Sequence, residues 1–121
     1  MLPNEWQIDE IISRALDEDL RLEDATTRAL IPPESKGRGS FLVKENGVLA
    51  GIPVAERVFK KVDPGIQMEI LIQDGSKIKR GDIIARISGN YGNILSAERT
   101  AVNFLQHLSG VATATFLLAM R

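Results

Sequence analysis

Residues 97–110 read Ala97-Glu98-Arg99-Thr100-Ala101-Val102-Asn103-Phe104-Leu105-Gln106-His107-Leu108-Ser109-Gly110. Turning each residue by about 100° around an axis collects Leu95, Ala101, Val102, Leu105 and Leu108 on one arc. Ser96, Arg99, Thr100, Asn103, Gln106 and His107 fall opposite them. The spacing predicts an amphipathic helix with a broad core face and a varied polar face. Glu98 is the exception, because it projects into the apolar arc. A carboxylate there must be paired or hydrogen-bonded, since burying an unpaired charge is costly. Ser109-Gly110 ends or kinks the helix.

Upstream, Gly89-Asn90-Tyr91-Gly92-Asn93 leads into that helix, and Ile83-Ile84-Ala85-Arg86-Ile87 reads as the strand before it. Arg80-Gly81-Asp82 and Asp74-Gly75 are turns around a short extended piece, Lys77-Ile78-Lys79, and Met68-Glu69-Ile70-Leu71-Ile72 is a strand. Gly51-Ile52-Pro53 opens another helix, with Pro53 suited to its first position. Val54, Ala55, Val58, Phe59 and Val62 form its core face, and Asp63-Pro64-Gly65 stops it. Residues 40–50 read as a hairpin: Ser40-Phe41-Leu42-Val43 and Val48-Leu49-Ala50 flank Glu45-Asn46-Gly47, and Asn-Gly is a strong tight-turn signal. Pro32-Pro33 and Gly37-Arg38-Gly39 bound a loop that bends into this strand; a lone Gly-x-Gly with no helix after it is a weak phosphate-cradle signal. Residues 4–18 form the first helix, with Ile8, Ile11, Ile12, Ala15 and Leu16 at core spacing. Asn4 is its N-cap, with Gln7 three residues on as in a capping box. Asp17-Glu18-Asp19 and Glu23-Asp24 read as a solvated helix end and turn rather than a cation site. Asp24 caps the turn at Ala25-Thr26-Thr27. Helix, hairpin, helix, strands, helices: the order predicts an α+β fold with a mostly antiparallel or mixed sheet covered by helices.

Downstream, Val111-Ala112-Thr113-Ala114-Thr115-Phe116-Leu117-Leu118-Ala119-Met120-Arg121 is apolar nearly all round. Read as a helix, it must be buried on most sides. Within the sequence nothing follows to bury it, so the expectation is a truncated chain or one that awaits a partner.

Composition narrows the function classes. The 121 residues suit one domain or a piece of a larger protein. Fifteen Lys and Arg against 16 Asp and Glu give a net charge of −1, which offers no electrostatic case for nucleic acid or an anionic membrane. There is no cysteine, hence no disulfide or thiolate metal site. No signal-peptide pattern opens the sequence and no apolar run reaches the ~20 residues that span a bilayer, so the expected compartment is the cytoplasm.

Arg99 is the foremost candidate for chemistry. Guanidinium is a planar fork that holds a carboxylate or phosphate in two parallel hydrogen bonds. Asn103 sits one turn away on the same face, so the two could share an anionic ligand. The competing reading pairs Arg99 with a nearby acid as a purely structural contact, and spacing alone favours that reading. His107, one turn beyond Asn103, lacks a second ligand or base partner. Thr113 and Thr115 would more often bond their own backbone carbonyls than a ligand. No Ser/His/Asp order, metal-binding His-Glu-x-x-His, phosphate-loop lysine or zinc spacing occurs.

Glu98-Arg99-Thr100-Ala101-Val102-Asn103-Phe104-Leu105, followed by Leu108-Ser109-Gly110-Val111-Ala112-Thr113-Ala114-Thr115, resembles the ERTALNFL…LSGIATxT motif of the quinolinate phosphoribosyltransferases, also called carboxylating nicotinate-nucleotide pyrophosphorylases. Ala15-Leu16-Asp17-Glu18-Asp19 with Asp24-Ala25-Thr26-Thr27 is similar to that family's ALxED…GDxTT start, with Glu23 in place of the usual glycine. Gly47-Val48-Leu49-Ala50-Gly51 and the Asp74-Gly75…Gly81-Asp82…Ile87-Ser88-Gly89 frame also fit. The resemblance implies a hammerhead-like α/β sandwich over residues 1–110, with 111–121 beginning an α/β barrel that is absent from this sequence. It implies that quinolinate nitrogen attacks the anomeric carbon of phosphoribosyl diphosphate. Pyrophosphate then leaves with Mg²⁺ assistance and the 2-carboxylate departs as CO₂, giving nicotinate mononucleotide on the de novo route to NAD. It implies a homodimer or higher homo-oligomer, in which Arg99 reaches a substrate carboxylate in the neighbouring subunit's barrel. The Mg²⁺ ligands and the catalytic residues would lie in that barrel, so this chain alone is expected to be inactive.

Two other readings compete. A biotinyl- or lipoyl-carrier module would share the paired strands around Asp74-Gly75 and Gly81-Asp82, but it needs a lysine exposed at a hairpin tip, and neither Lys44 nor Lys77 has that setting. A related pyrophosphorylase with another anionic substrate would differ only in the barrel.

Overall fold

Strand β1, Lys36–Val43, is the spine of the structure. Its Gly37, Gly39, Phe41 and Val43 are buried while Lys36 and Arg38 are exposed, the period-two pattern of a strand with one core face. The structure is a computed structural model and describes residues 5–22, 32–110 and 113–120. The remaining elements in chain order are α1 (Glu5–Leu22), β2 (Gly47–Val48), α2 (Ile52–Val62), β3 (Gln67–Ile70), β4 (Lys77–Ile78), β5 (Ile83–Asn90), α3 (Tyr91–Ser109) and β6 (Thr113–Met120). Four strands form one antiparallel sheet in the order β3-β5-β1-β6, and β2 and β4 form a separate ribbon. The α+β class expected from the element order is what the structure has.

Helix α3 packs on the sheet, α2 packs on α3, and α1 lies against both. Phe41 of β1 and Phe59 of α2 meet edge to face with ring centroids 5.8 Å apart, at the centre of a core that includes Ile12, Leu49, Ile52, Ile66, Ile84, Ile94 and Leu105. An ion pair between Arg57 and Asp9 at 2.9 Å fixes α2 to α1. The α2 reading holds: Ala55, Val58 and Phe59 are buried, Val54 and Val62 are half-buried against them, and Pro53 sits in the first turn.

Several expectations are corrected. Residues 40–50 do not form a hairpin: β1 pairs with β5 and β6, and β2 pairs with β4. The favoured two-residue Asn-Gly turn needs positive φ at both positions, and neither Asn46 nor Gly47 has it. Asn46 Oδ1 instead accepts the Arg80 N–H at 2.9 Å, tying its loop to the turn at Arg80-Gly81-Asp82. Gly37-Arg38-Gly39 is not a loop but the first half of β1, opposite Gly89, Ser88 and Ile87. The terminal segment is not a helix: residues 113–120 form β6, antiparallel to β1, with Thr115 opposite Phe41 and Thr113 opposite Val43. Its threonines and Phe116 suit a strand, and pairing with β1 satisfies its backbone in a way a solitary apolar helix would not need. Helix α1 continues through Asp17-Glu18-Asp19 to Leu22, past the expected end, and β5 continues to Asn90. The Asn4 cap and the turn at residues 24–27 lie outside the described residues.

Candidate functional site

Helix α3 is anchored at both ends. Asn90 caps its start: Oδ1 accepts the Asn93 N–H at 3.0 Å, and Nδ2 donates to Pro33 O at 2.7 Å. Gly37 makes room for the first turn, because a Cβ there would stand 2.5 Å from Tyr91 Cδ2. Asn93 Nδ2 donates to Asp63 Oδ2 at 3.0 Å, linking the start of α3 to the end of α2. That bond, with the Gly65 N–H and Lys60 acting the same way against partial desolvation, holds the Asp63 carboxyl below the usual range. At the other end, Ser109 Oγ donates to Ala50 O at 2.6 Å and accepts the Ala50 N–H at 2.8 Å. Asp74 takes the next two amides, Gly51 N–H on Oδ2 and Ile52 N–H on Oδ1, both at 3.0 Å. Gly51 has φ +102, and Leu108 fills the space beside it. Gly110, at φ 70, closes the helix through its N–H to Gln106 O.

The face that α3 buries is turned from the one periodicity predicts. Gly92, Ile94, Ser96, Ala97, Thr100, Ala101 and Leu105 are buried. Leu95 and Val102 are half-buried, and Leu108 is 51% exposed. Ser96 enters the core without penalty because its hydroxyl donates to Gly92 O at 3.0 Å.

Arg99, Asn103 and His107 remain exposed, one turn apart along a single stripe. Among the described residues none of the three has a side-chain hydrogen bond or an ion pair. Arg99 is therefore not tied to any acid among the described residues. Glu98, its neighbour, is half-buried and has no ion-pair partner among the described residues; burial pushes its carboxyl upward. The expectation that Glu98 faces an apolar surround holds, but no partner for it lies among those residues. Thr113 and Thr115 stand in β6.

Among the described residues the concavities lie elsewhere, and two of them stand out. An apolar groove of about 540 Å³ runs between α1, α2 and α3 along Ile8, Ile11, Val54, Phe104 and Leu108. A polar one of about 740 Å³ is lined by Lys36, Arg38, Asp63, Ser88 and Asn90. Arg99 lines neither. Its guanidinium lies on an open helix face, and an anion held there gains little until a second surface excludes water. Among the described residues no group of three or more His, Asp or Glu could hold a metal ion. No helix among them is long and apolar enough to cross a membrane. Spacing pointed to Arg99 and Asn103, but not to Ser109 or Gly37 as residues that fix their helix, nor to Asp74 as the acceptor of the amides that open α2. Their partners lie tens of residues away.

Among the described residues, an antiparallel sheet backed by helices, with Arg99, Asn103 and His107 exposed along α3, defines a two-layer α/β domain. Residues 24–109 match the family described as "Quinolinate phosphoribosyl transferase, N-terminal domain". The chain is 40% identical over 111 residues to quinolinate phosphoribosyltransferase [decarboxylating] 2b, mitochondrial, of Nicotiana tabacum, covering 91% of this chain and 32% of that protein. It is 36% identical to the probable nicotinate-nucleotide pyrophosphorylase [carboxylating] of Synechocystis, covering 89% of this chain and 36% of that one. Among solved structures, NadC from Streptococcus pyogenes superposes with a TM-score of 0.83 at 38% identity, over 91% of this chain and 39% of its own. The nicotinate-nucleotide pyrophosphorylase from Francisella tularensis gives 0.78 at 29% identity, over 88% and 37%. The chain belongs to the quinolinate phosphoribosyltransferase family, through its N-terminal domain. It spans about one third of the length of the curated relatives it matches.

Proposed function

We propose that this chain is the N-terminal portion of an enzyme that joins quinolinate to phosphoribosyl diphosphate, releasing nicotinate mononucleotide, pyrophosphate and CO₂. The observation that carries this reading is Arg99, an exposed guanidinium with no partner among the described residues, on a helix inside the family match. Its role is to hold a substrate carboxylate. The surface that excludes water from that contact is the barrel of a neighbouring subunit, which makes a homodimer or higher homo-oligomer the working unit. Mg²⁺ assists pyrophosphate departure from ligands that belong to the barrel. The domain boundary is assigned after Gly110, a choice supported by the end of α3 and of the family match at residue 109. Residues 111–121 then lead toward the barrel by way of β6, which lies on β1. The cytoplasm is the proposed compartment, although the tobacco relative's name carries "mitochondrial". The names of the relatives lend nothing to the carrier reading; a related pyrophosphorylase acting on another anion stays the second choice.

Two measurements test this. The 121-residue chain alone should form no nicotinate mononucleotide from quinolinate, phosphoribosyl diphosphate and Mg²⁺, and detectable product would refute the division of labour. In an enzyme carrying this domain joined to its barrel, Arg99→Ala should lower kcat/KM by roughly 30- to 900-fold, the ~2–4 kcal/mol of a desolvated charge-assisted contact. An unchanged kcat/KM would remove Arg99 from the site.

A further inference from the structure

The stripe on α3 offers more than one donor, and the helix geometry selects between them. Arg99 and Asn103 are both exposed and both without a side-chain bond among the described residues. Four residues of helix separate them by about 6 Å of rise, while His107 stands about 12 Å from Arg99. A single aromatic ring with two neighbouring carboxylates bridges the first interval with the help of the long arginine side chain, but not the second. On the other flank Gln106 already has a partner within the fold. Glu98 presents a half-buried carboxylate beside Arg99, which repels an anion that spreads that way. The direction left for a second carboxylate is along the stripe, toward the Asn103 amide, whose nitrogen offers two donors.

We propose that Asn103 is the second ligand-contacting donor of the Arg99 site, taking one carboxylate of a planar ortho-dicarboxylate while Arg99 takes the other. Asn103 thereby discriminates a dicarboxylate from either monocarboxylate. This rests on the reading of Arg99 as a carboxylate holder given above. The neutral amide adds a hydrogen bond without adding charge, so it rewards the second carboxylate and leaves a monocarboxylate on Arg99 nearly untouched.

The test is a titration of a ¹⁵N-labelled enzyme that carries this domain joined to its barrel with pyridine-2,3-dicarboxylate, pyridine-2-carboxylate and pyridine-3-carboxylate, following the Arg99 Nε–H and Asn103 Nδ2–H₂ signals. Both signals should move with the dicarboxylate and share one midpoint. Asn103→Ala and Asn103→Leu should weaken the dicarboxylate roughly three- to tenfold and change the monocarboxylates by less than about twofold. Arg99→Ala should abolish all three responses. If Arg99 responds but the dicarboxylate preference is the same in both Asn103 variants as in the parent, the Asn103 assignment falls while the Arg99 reading survives. If no ligand moves Arg99, both fall. Asn103 is exposed, so neither substitution opens the core, and unchanged amide spectra of the free variants establish that the fold is retained.

Discussion

The Ser109 hydroxyl replaces a strand partner for Ala50: it takes the N–H and feeds the C=O of the same residue. Removing it strands a donor and an acceptor in a half-buried loop, and each unmet group costs on its own. Ser109→Ala should therefore lower unfolding stability by ~1–3 kcal/mol in a urea titration, with m unchanged. Glu98 points the other way. Burial raises its folded pKa above the unfolded value, so the folded state binds the proton more tightly, and stability falls as pH rises through that window. Glu98→Gln should accordingly raise Tm at neutral pH, and the gain should vanish below the ordinary carboxylate pKa. A Glu98→Gln variant less stable than the parent at neutral pH would mean that the ionised carboxylate has a partner. Of the site, sequence made Arg99 and Asn103 legible, because helix spacing alone puts them on one side. It hid the absence of a bonded partner among the described residues, which depends on where the acids of the chain end up.

At the scale of elements, helices were easier to read than strand partners. The core face of α2 follows from a local period, and Pro53 and Asp63 mark its ends. The error in α3 has a physical origin: the small Ser96, Ala97, Thr100 and Ala101 are buried, whereas the larger Leu95 is half-buried and Leu108 is exposed. Hydrophobicity counted the leucines as core, whereas close packing selected the small side chains. The Asn46-Gly47 signal failed for a related reason. A turn is a local preference worth little against the ladder that β1 forms with β5, residues 36–42 against 83–90. The junction of β1 with α3 gives a prediction at this scale. Gly37→Ala drives a methyl into the Tyr91 ring and should cost ~1–3 kcal/mol. Gly37→Ala combined with Tyr91→Ala should cost less than the two separate changes summed, a coupling a double-mutant cycle reads directly. Strict additivity would show that the ring moves aside freely.

For the whole molecule, the α+β class was legible from element order, and the family from the motif on α3 together with the frame around Asp74 and Gly81. The arrangement of strands was not, because order β3-β5-β1-β6 places the strand formed earliest in the chain between the two formed last. That placement has a consequence for the chain as it is made. Synthesis proceeds from the N-terminus at ~5–20 residues per second, and β1 leaves the ribosome with no partner in sight. Its first neighbour, β5, begins only at Ile83, and β6 completes its other edge only at Met120. Until then a strand carrying Phe41 and Val43 presents two open edges, in a protein whose contacts are largely long-range. Arresting translation shortly before β5 emerges should leave β1 protease-sensitive, and arresting it after β6 emerges should not.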